Sequence, residues 1–284
     1  MKTVAGSTQI LLRTREISPA TLSLADNLEA ISGHAVSLVY DARHGDAECE
    51  RHAVINLSLA ACSELGLYCP PDFAWKCGDY GYYLARRRFP EAALFWMLET
   101  DVGFYGKDPG LFFRFFAAQR EVDFVAARLQ RADRSWYWRN TAKGRDVSPF
   151  QCLFPVTRLS RRAIDSAFAR RIAHGKHLSR RLLWPNDEAF VATTLMNAQF
   201  VNRDLNDFGP VFYSNQTFYY GEPLNGDCIQ LPPAAVQVVH PVLSGREYAA
   251  KMLALRQRSS AAPDPWTRQK LRWTAHKLNV ISRW

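Results

Sequence analysis

The sequence predicts an α/β fold with a mixed, mostly parallel central sheet flanked by helices. The first hundred residues alternate between strand and helix patterns, as parallel sheets built from strand–helix–strand units do. The continuous apolar run from Ala92 to Leu98 lacks the polar alternation of a half-exposed strand, which indicates a strand covered on both faces. With 284 residues, 48% of them hydrophobic, the chain can build one large core.

The opening segment predicts a strand, a helix and a second strand. Ser18 suits the N-cap of the helix, Pro19 suits its first turn, and Gly33 suits its end. Asp41 closes the second strand. The three elements are expected over residues 8–15, 20–32 and 35–40.

The rest of the chain predicts a less regular alternation. Gly, Pro and Asn make residues 204–233 a loop region, and residues 259–265 resemble a linker. We therefore expect one domain over 1–258 and a basic, Trp-rich C-terminal helical tail over 259–284. Further strands are expected at 52–57, 92–98, 122–128, 150–155, 200–202 and 236–239, and further helices just after 57, then over 80–89, 109–120, 160–173, 187–197 and 245–256.

Composition and motifs narrow the functional classes. The net charge of +9 fits nucleic acid, an anionic membrane or a phosphorylated substrate. Nucleic acid is not favoured, because no zinc finger, ribonucleoprotein motif or basic heptad pattern is present. Six cysteines without a CxxC pair do not support a zinc ribbon. Dinucleotide-fingerprint, P-loop and nucleophile-elbow motifs are also missing.

The cellular location is predicted from the length of the apolar segments and from the charged residues that interrupt them. No apolar run reaches the length of a membrane span. Arg13 breaks the apolar stretch at 10–12, so no secretory signal is recognised near the N-terminus. We expect a cytoplasmic protein.

An acidic pair closes the buried strand around residue 95. Glu99 and Asp101 follow the apolar run, at the end of a strand where open α/β sheets bind ligands. Two positions apart on an extended segment, their side chains would leave the same face. Such a pair suits a hard divalent cation carrying diphosphate oxygens. Plain turn formation or helix capping is the alternative.

Four short motifs stand in one order along the chain: the strand–helix–strand opening, Glu99-Thr100-Asp101, Asn186-Asp187-Glu188 at a helix start and the late His240-Pro241. Together they resemble the GT-A superfamily of nucleotide-sugar glycosyltransferases, over residues 8–256. The segments 75–80 and 96–101 resemble little-characterised bacterial branches of it. The resemblance implies transfer of a sugar from a nucleotide-sugar donor to a hydroxyl of a glycan or lipid-linked glycan, as in bacterial surface-polysaccharide synthesis.

The resemblance implies a Mn²⁺ or Mg²⁺ site. Glu99 and Asp101 would be the counterpart of the D-x-D element, with Asp101 as a direct ligand and Glu99 binding directly or through water. His240 would be a further ligand. The alternative for His240 is an ordinary loop residue before Pro241.

The resemblance also implies a catalytic base at the start of a late helix. Asp187 is the favoured residue, with Glu188 close behind it, and this assignment slightly favours inversion over retention. Simple capping of the helix N-terminus is the alternative. Because a helix dipole lowers the pKa of such a carboxyl, apolar neighbours such as Trp184 would have to raise it.

Donor and acceptor contacts are expected from polar and aromatic residues elsewhere. The resemblance assigns the donor's diphosphate, ribose or base to Arg13, Asp41, Lys76 and Asp79, each of which is alternatively a surface charge. The aromatic run 136–138 could line the acceptor site or pack beneath a loop.

The C-terminal tail allows two interpretations, and two alternative functions remain for the whole chain. Residues 265–284 combine Trp with Lys and Arg, which suits either an anionic membrane surface, giving a peripheral protein on the inner membrane face, or packing on the domain. A nucleotidyltransferase would also use acidic metal ligands, but residues 14–19 lack the glycine-rich loop of that class. The other rival is a non-catalytic basic binding protein on a GT-A scaffold.

Overall fold

The computed structural model describes residues 6–141, 147–231 and 234–260, and the side chains up to residue 257. The strands are β1 Thr8–Thr14, β2 Val36–Asp41, β3 Ala53–Leu57, β4 Leu94–Glu99, β5 Gly103–Tyr105, β6 Phe124–Arg131, β7 Phe150–Ser160, β8 Asn202–Asp204, β9 Leu224–Asn225, β10 Gln237–Val239 and β11 Val242–Leu243. The α-helices are α1 Pro19–Ser32, α2 Leu59–Glu64, α3 Phe73–Lys76, α4 Asp79–Arg88, α5 Leu111–Ala117, α6 Arg161–Gly175, α7 Leu178–Arg181, α8 Asp187–Met196 and α9 Gly245–Ser260, and short 3₁₀ helices cover Ala42–His44 and Tyr137–Asn140.

Seven strands form the central sheet in the order β3-β2-β1-β4-β7-β6-β8. Neighbouring strands run parallel except at β7, which is antiparallel to both β4 and β6. The predicted fold class is therefore confirmed: a mixed α/β domain with a mostly parallel sheet flanked by helices.

The direction of the chain across the sheet reverses beside β1. β2 and β3 extend the sheet on one side of β1, whereas β4 pairs with its other side. In open α/β sheets, ligands bind in the crevice at such a switch point, outside the carboxyl ends of the strands. The last residue pair in the register of β1 and β4 is Arg13 with Glu99, so two charged side chains lie at this point.

The two faces of the sheet each carry an apolar core, as the alternation along buried strands requires. Leu11 and Met97 belong to one core, where α4, α6 and α8 pack. Leu12 and Trp96 belong to the opposite core, which contains α1 and the Phe-rich α5. Covered on both faces, β4 is almost fully buried from Leu94 to Leu98, as its apolar run predicts.

The predicted start and end signals of α1 are confirmed, whereas β7 ends later than predicted. The Ser18 hydroxyl accepts a hydrogen bond from the Thr21 backbone N–H, and Gly33 ends the helix with a left-handed φ of 70°. β7 is longer than predicted, because it continues through Pro155 to Ser160. Ser160 then caps α6 by accepting a hydrogen bond from the Ala163 N–H.

Short strands that the sequence did not predict take part in two small sheets, separate from the central one, that include the C-terminal strands β10 and β11. β5, directly after the acidic turn of β4, pairs antiparallel with β10. β9 lies within the predicted loop region and pairs parallel with β11. The predicted membrane-binding segment, 265–284, lies outside the described residues, as does most of the predicted tail. Among the residues described, no helix is both long and apolar enough to cross a membrane.

Candidate metal and nucleotide-sugar site

Three predicted ligands converge at the carboxyl end of β4. One ligand atom each from Glu99, Asp101 and His240 lies within 4.8 Å of the other two. We call this group the acidic cluster. The Nε2 atom of His240 lies 3.6 Å from Oδ1 of Asp101. Two carboxylates and an imidazole at this spacing can surround one divalent cation.

A turn, rather than an extended strand, brings the two carboxylates together. β4 ends at Glu99, and the Val102 N–H donates to the Glu99 carbonyl at 3.2 Å. Asp101 therefore lies on a tight turn, and the expectation that both side chains leave one face of an extended segment is corrected. The turn also directs the chain into β5.

His240 reaches the cluster because β10 pairs with β5. Val239 is the register partner of Gly103, so His240, the next residue, lies opposite Val102, the neighbour of Asp101 in the chain. The Val242 N–H donates to the Asp101 carbonyl at 2.8 Å. One backbone pairing on each side of His240 thus holds this residue against a turn that lies 139 positions earlier in the chain.

The hydrogen bonding of His240 leaves one ring nitrogen available to a cation. Nδ1 lies 3.0 Å from the Tyr219 carbonyl oxygen, and the side chain is buried. A carbonyl can only accept, so Nδ1 carries the proton and Nε2 presents its lone pair to the acidic cluster. Backbone carbonyls orient metal-binding histidines in the same way.

The charge environment of Asp101 is that of a partly enclosed carboxylate. Burial raises the pKa of Asp101 above its ordinary value, and the charge of Glu99 raises it further, while the protonated form of His240 and the charge of Lys251 oppose the shift. A bound cation would favour the ionised form in the same sense as His240 and Lys251.

Arg13 links the acidic cluster to the neighbouring elements. Its Nη1 donates to Oε1 of Glu99 at 2.9 Å. Its Nη2 donates to the carbonyl oxygens of Ala74 and Trp75, both at 2.7 Å. The guanidinium therefore holds α3 against the carboxyl ends of β1 and β4.

Asp187 lies behind Arg13, at the N-terminus of α8. Its Oδ2 is 3.6 Å from Nη1 of Arg13 and accepts the Gly78 N–H at 2.9 Å. Asn186 caps the helix by accepting from the Ala189 N–H, as predicted. A side chain at Gly78 would place its Cβ 2.5 Å from Oδ2 of Asp187, so only glycine permits this backbone contact.

The Asp187 carboxyl is a weaker acid than usual. Burial raises the pKa of Asp187 to about 7, although the charge of Arg13 opposes the shift. Glu188 is also buried, and burial together with the charge of Asp187 raises its pKa well above the ordinary value. The carboxylate of Glu188 accepts hydrogen bonds from the Asn186 side chain and the Phe154 N–H, so it points toward β7. Neither Asp187 nor Glu188 is among the residues that line the large cavity at the carboxyl ends of β1, β2 and β4.

Asp79 is not brought to the cavity. Its two oxygens accept hydrogen bonds from Nε and Nη2 of Arg171 at 2.7 and 2.9 Å, and Oδ2 also accepts the Tyr83 hydroxyl at 2.7 Å. Both charged side chains are fully buried. The predicted donor contact of Asp79 is corrected to a structural ion pair, because no face of its carboxylate is open to a ligand.

A cavity of about 600 Å³ lies over the carboxyl ends of β1, β2 and β4 and contains the acidic cluster. Both acidic and basic side chains line the cavity, so it can bind a cation and an anionic group together. The acidic residues that line it are Glu16, Asp41, Glu99, Asp101 and Glu247, and the basic ones are Arg13, Arg15 and Lys251.

The remaining predicted donor residues differ in their positions. Asp41 lines the cavity, where a two-point pair with Arg43 lowers its pKa. Lys76 does not line it; its Nζ lies 5.1 Å above the ring of Trp138. Lys76 is therefore placed at the rim, among aromatic residues, and not beside the acidic cluster.

Four charged residues of the cavity were missed by sequence reasoning. Arg15 and Glu16 follow β1, and Glu247 and Lys251 are one turn apart on α9. The i, i+4 spacing was visible in the sequence, but it is common on solvated helices. Only the packing of α9 beside β11 brings that turn to the cavity.

Comparisons with known proteins locate distant structural neighbours. No family model and no curated protein matches the sequence. A glycosyltransferase involved in glycosylation of the major capsid of PBCV-1 is 12% identical, with 58% of this chain and 66% of that chain covered and a TM-score of 0.33. The mannosyltransferase Ktr4p from S. cerevisiae is 10% identical, with 66% of each chain covered and a TM-score of 0.38.

A third solved structure is the 4-diphosphocytidyl-2C-methyl-D-erythritol synthase from Anaerococcus prevotii DSM 20548. It is 9% identical, with 70% of this chain and 88% of that chain covered and a TM-score of 0.37. At such low identities and TM-scores, none of the three likenesses assigns a function. The chemistry of the site follows from its own residues.

Proposed function

We propose that this protein is a metal-dependent glycosyltransferase that moves a sugar from a nucleotide-sugar donor to a hydroxyl of a glycan or lipid-linked glycan. One observation carries the proposal: the acidic cluster lies at the switch point of the sheet, inside a cavity lined by both acidic and basic side chains. A role in bacterial surface-polysaccharide synthesis remains a prediction from the resemblance.

The residues of the acidic cluster fit a divalent cation. Glu99 and Asp101 offer carboxylate oxygens, and the hydrogen bond from His240 Nδ1 to a carbonyl leaves Nε2 as a ligand. The mixed oxygen and nitrogen set suits Mn²⁺ better than Mg²⁺, which prefers oxygen ligands alone. When bound, the ion would offset the negative charge that develops on the departing diphosphate.

The basic residues around the cluster are placed to bind the donor's phosphates. Arg15, which directly follows β1, and Lys251 of α9 both line the cavity. Arg13 is already engaged with Glu99, so its first role is to orient that carboxylate. Asp41, at the end of β2, is placed to contact the ribose or base of the donor.

Asp187 is the proposed general base. A pKa of about 7 allows a carboxylate to take a proton from an attacking hydroxyl and release it at neutral pH. Its side chain is 7% exposed and lies behind Arg13, so proton transfer requires Arg13 to shift or a water molecule to relay the proton. This assignment favours inversion of the sugar's configuration. Glu188 is not retained as a base, because its carboxylate faces β7.

Cation binding is the first test. Isothermal titration with Mn²⁺ should show binding to the wild-type protein, and Asp101→Asn should weaken it by about tenfold or more, since it removes a charged ligand. Asp165→Asn is the matched control, because Asp165 is an exposed carboxylate that pairs with the half-buried Arg86 of α4 and does not line the cavity. Equal Mn²⁺ affinity in the two variants would overturn the metal site.

Product analysis separates the three candidate functions. A glycosyltransferase releases nucleoside diphosphate or monophosphate from a panel of sugar nucleotides when Mn²⁺ is present. A nucleotidyltransferase instead releases pyrophosphate from a nucleoside triphosphate and a sugar phosphate. A non-catalytic binding protein turns over neither set of substrates.

A further inference from the structure

Three neighbouring aromatic side chains form a partly exposed group, and one of them, Trp75, lines the cavity. Trp75 is 52% exposed and Tyr137 is 58% exposed, while Trp138 is half-buried between them. We call these three residues the aromatic shelf. Trp75 belongs to α3, and the other two belong to the 3₁₀ helix Tyr137–Asn140. Large aromatic rings left in water at one place mark an interaction site more often than scattered ones do.

The aromatic shelf is continuous with the acidic cluster. Trp75 lines the cavity, and its carbonyl oxygen accepts a hydrogen bond from Nη2 of Arg13. The same guanidinium donates through Nη1 to Glu99. Two hydrogen bonds through one side chain thus connect the backbone of Trp75 to a predicted metal ligand, and Trp75 borders the same cavity as that ligand.

The ring geometry suits a ligand with small apolar faces and many hydroxyls. The rings of Trp75 and Trp138 are 6.4 Å apart and tilted by 51°, and those of Tyr137 and Trp138 are 4.7 Å apart and tilted by 83°. Such a stepped surface offers no flat platform for an extended planar group. Sugar rings present a small C–H face that packs on one aromatic ring at a time.

The ammonium group of Lys76 lies next to the aromatic rings. The Nζ of Lys76 lies over Trp138 at 5.1 Å and has three N–H donors to offer. A charged donor beside stepped aromatic rings matches a saccharide, whose hydroxyls accept hydrogen bonds while its C–H face stacks. The same charge interrupts the apolar surface that insertion into a lipid bilayer would need.

We propose that the aromatic shelf is a saccharide-binding subsite that holds the acceptor glycan beside the reaction centre. That the bound saccharide is the acceptor rests on the proposed glycosyl transfer. Saccharide binding at the aromatic shelf does not depend on it. Trp75 and Trp138 stack sugar rings, and Lys76 hydrogen-bonds their hydroxyls.

Saturation-transfer NMR on the full chain, without metal or nucleotide, tests the subsite. The probes are maltotriose, cellotriose, chitotriose and mannotriose. At least one of them should receive saturation at its C–H protons, and Trp138→Ala should weaken its binding by about five- to tenfold, the worth of one stacked ring. Trp138→Phe keeps a ring and should retain most of the affinity.

Controls keep the result interpretable. Leu182→Ala removes a hydrophobic side chain that is 71% exposed and follows α7, outside the cavity lining, and should bind like wild type. Trp75→Ala is the second variant if Trp138→Ala does not fold. Binding of none of the four saccharides, equal binding by both Trp variants and wild type, or shelf-dependent sedimentation with anionic lipid vesicles would each overturn the subsite.

The Mn²⁺ titration distinguishes this failure from failure of the proposed function. Trp138→Ala should leave Mn²⁺ affinity unchanged, because its ring contacts no member of the acidic cluster. Loss of saccharide binding with intact metal binding supports the subsite. Saccharide binding in a protein that binds no Mn²⁺ would keep the subsite and remove the metal-dependent transferase.

Discussion

Replacing Asp79 with Asn should destabilise the protein strongly without acting on donor binding directly. Asp79 is the counter-charge of Arg171, and both side chains are fully buried. The Arg171 guanidinium also donates to the Pro185 carbonyl at 3.0 Å and stacks on Phe190, with its Cζ 3.7 Å from the ring centroid. The pair therefore joins α4 and α6 to the segment that precedes Asp187.

The expected size of the effect follows from these contacts. Asp79 accepts three hydrogen bonds, two of them from Arg171. An Asn amide cannot accept at both atoms, so one donor loses its partner, and the guanidinium remains buried without a neutralising charge. Breaking a buried pair in this way costs about 3–5 kcal/mol of unfolding free energy.

Urea denaturation at neutral pH, followed by circular dichroism, measures that cost. Asp165→Asn applies the same substitution to an exposed carboxylate that pairs with the half-buried Arg86, and it should change the unfolding free energy by about 1 kcal/mol or less. The double variant Asp79→Leu with Arg171→Met should recover much of the loss, because no unpaired charge remains buried. Equal stability of Asp79→Asn and Asp165→Asn, combined with a loss of donor affinity in Asp79→Asn, would refute the structural role.

Two further predictions concern the neighbourhood of Asp187. Because burial raises the folded pKa of Asp187 from 3.8 to about 7, the folded chain holds its proton longer than the unfolded chain, and stability falls as pH rises through this window. Urea midpoints at about pH 5 and about pH 8 should therefore drop more for wild type than for Asp187→Asn, and equal drops would contradict a buried acid. Gly78→Ala places a Cβ 2.5 Å from Oδ2 of Asp187 and 2.6 Å from Nη1 of Arg13. It should cost about 1–3 kcal/mol of stability and most of the turnover, and unchanged turnover would show that this contact does not support catalysis.

Local chemistry in the sequence predicted the framework. The Ser18 and Gly33 caps are set by neighbours within a few residues, and the structure confirms both. The apolar run ending at Leu98 predicted a doubly covered strand for a similar reason, since burial on both faces removes the need for polar residues. The position of Glu99 at the carboxyl end of a central strand followed from that prediction.

Partner choice between distant side chains was not predictable in the same way. Arg13 meets Glu99 only because β1 and β4 pair in one register, and a shift of one residue would turn the guanidinium to the other face. Asp79 looked like a ligand-binding acid because the Arg171 that neutralises it comes from α6, 92 positions later in the chain. Lys251 looked like an ordinary surface residue of a helix until α9 packed beside the cavity.

The sequence by itself determined which segments become strands and helices, and that acidic residues follow the most buried strand. Tertiary structure decided which charges face the cavity and which are neutralised in the core. Hydrophobic spacing and capping act over one or two turns, so they can be read along the chain. The surroundings of a charged side chain depend on strand register and helix packing, which bring His240 to Asp101 and hide Asp79 behind Arg171.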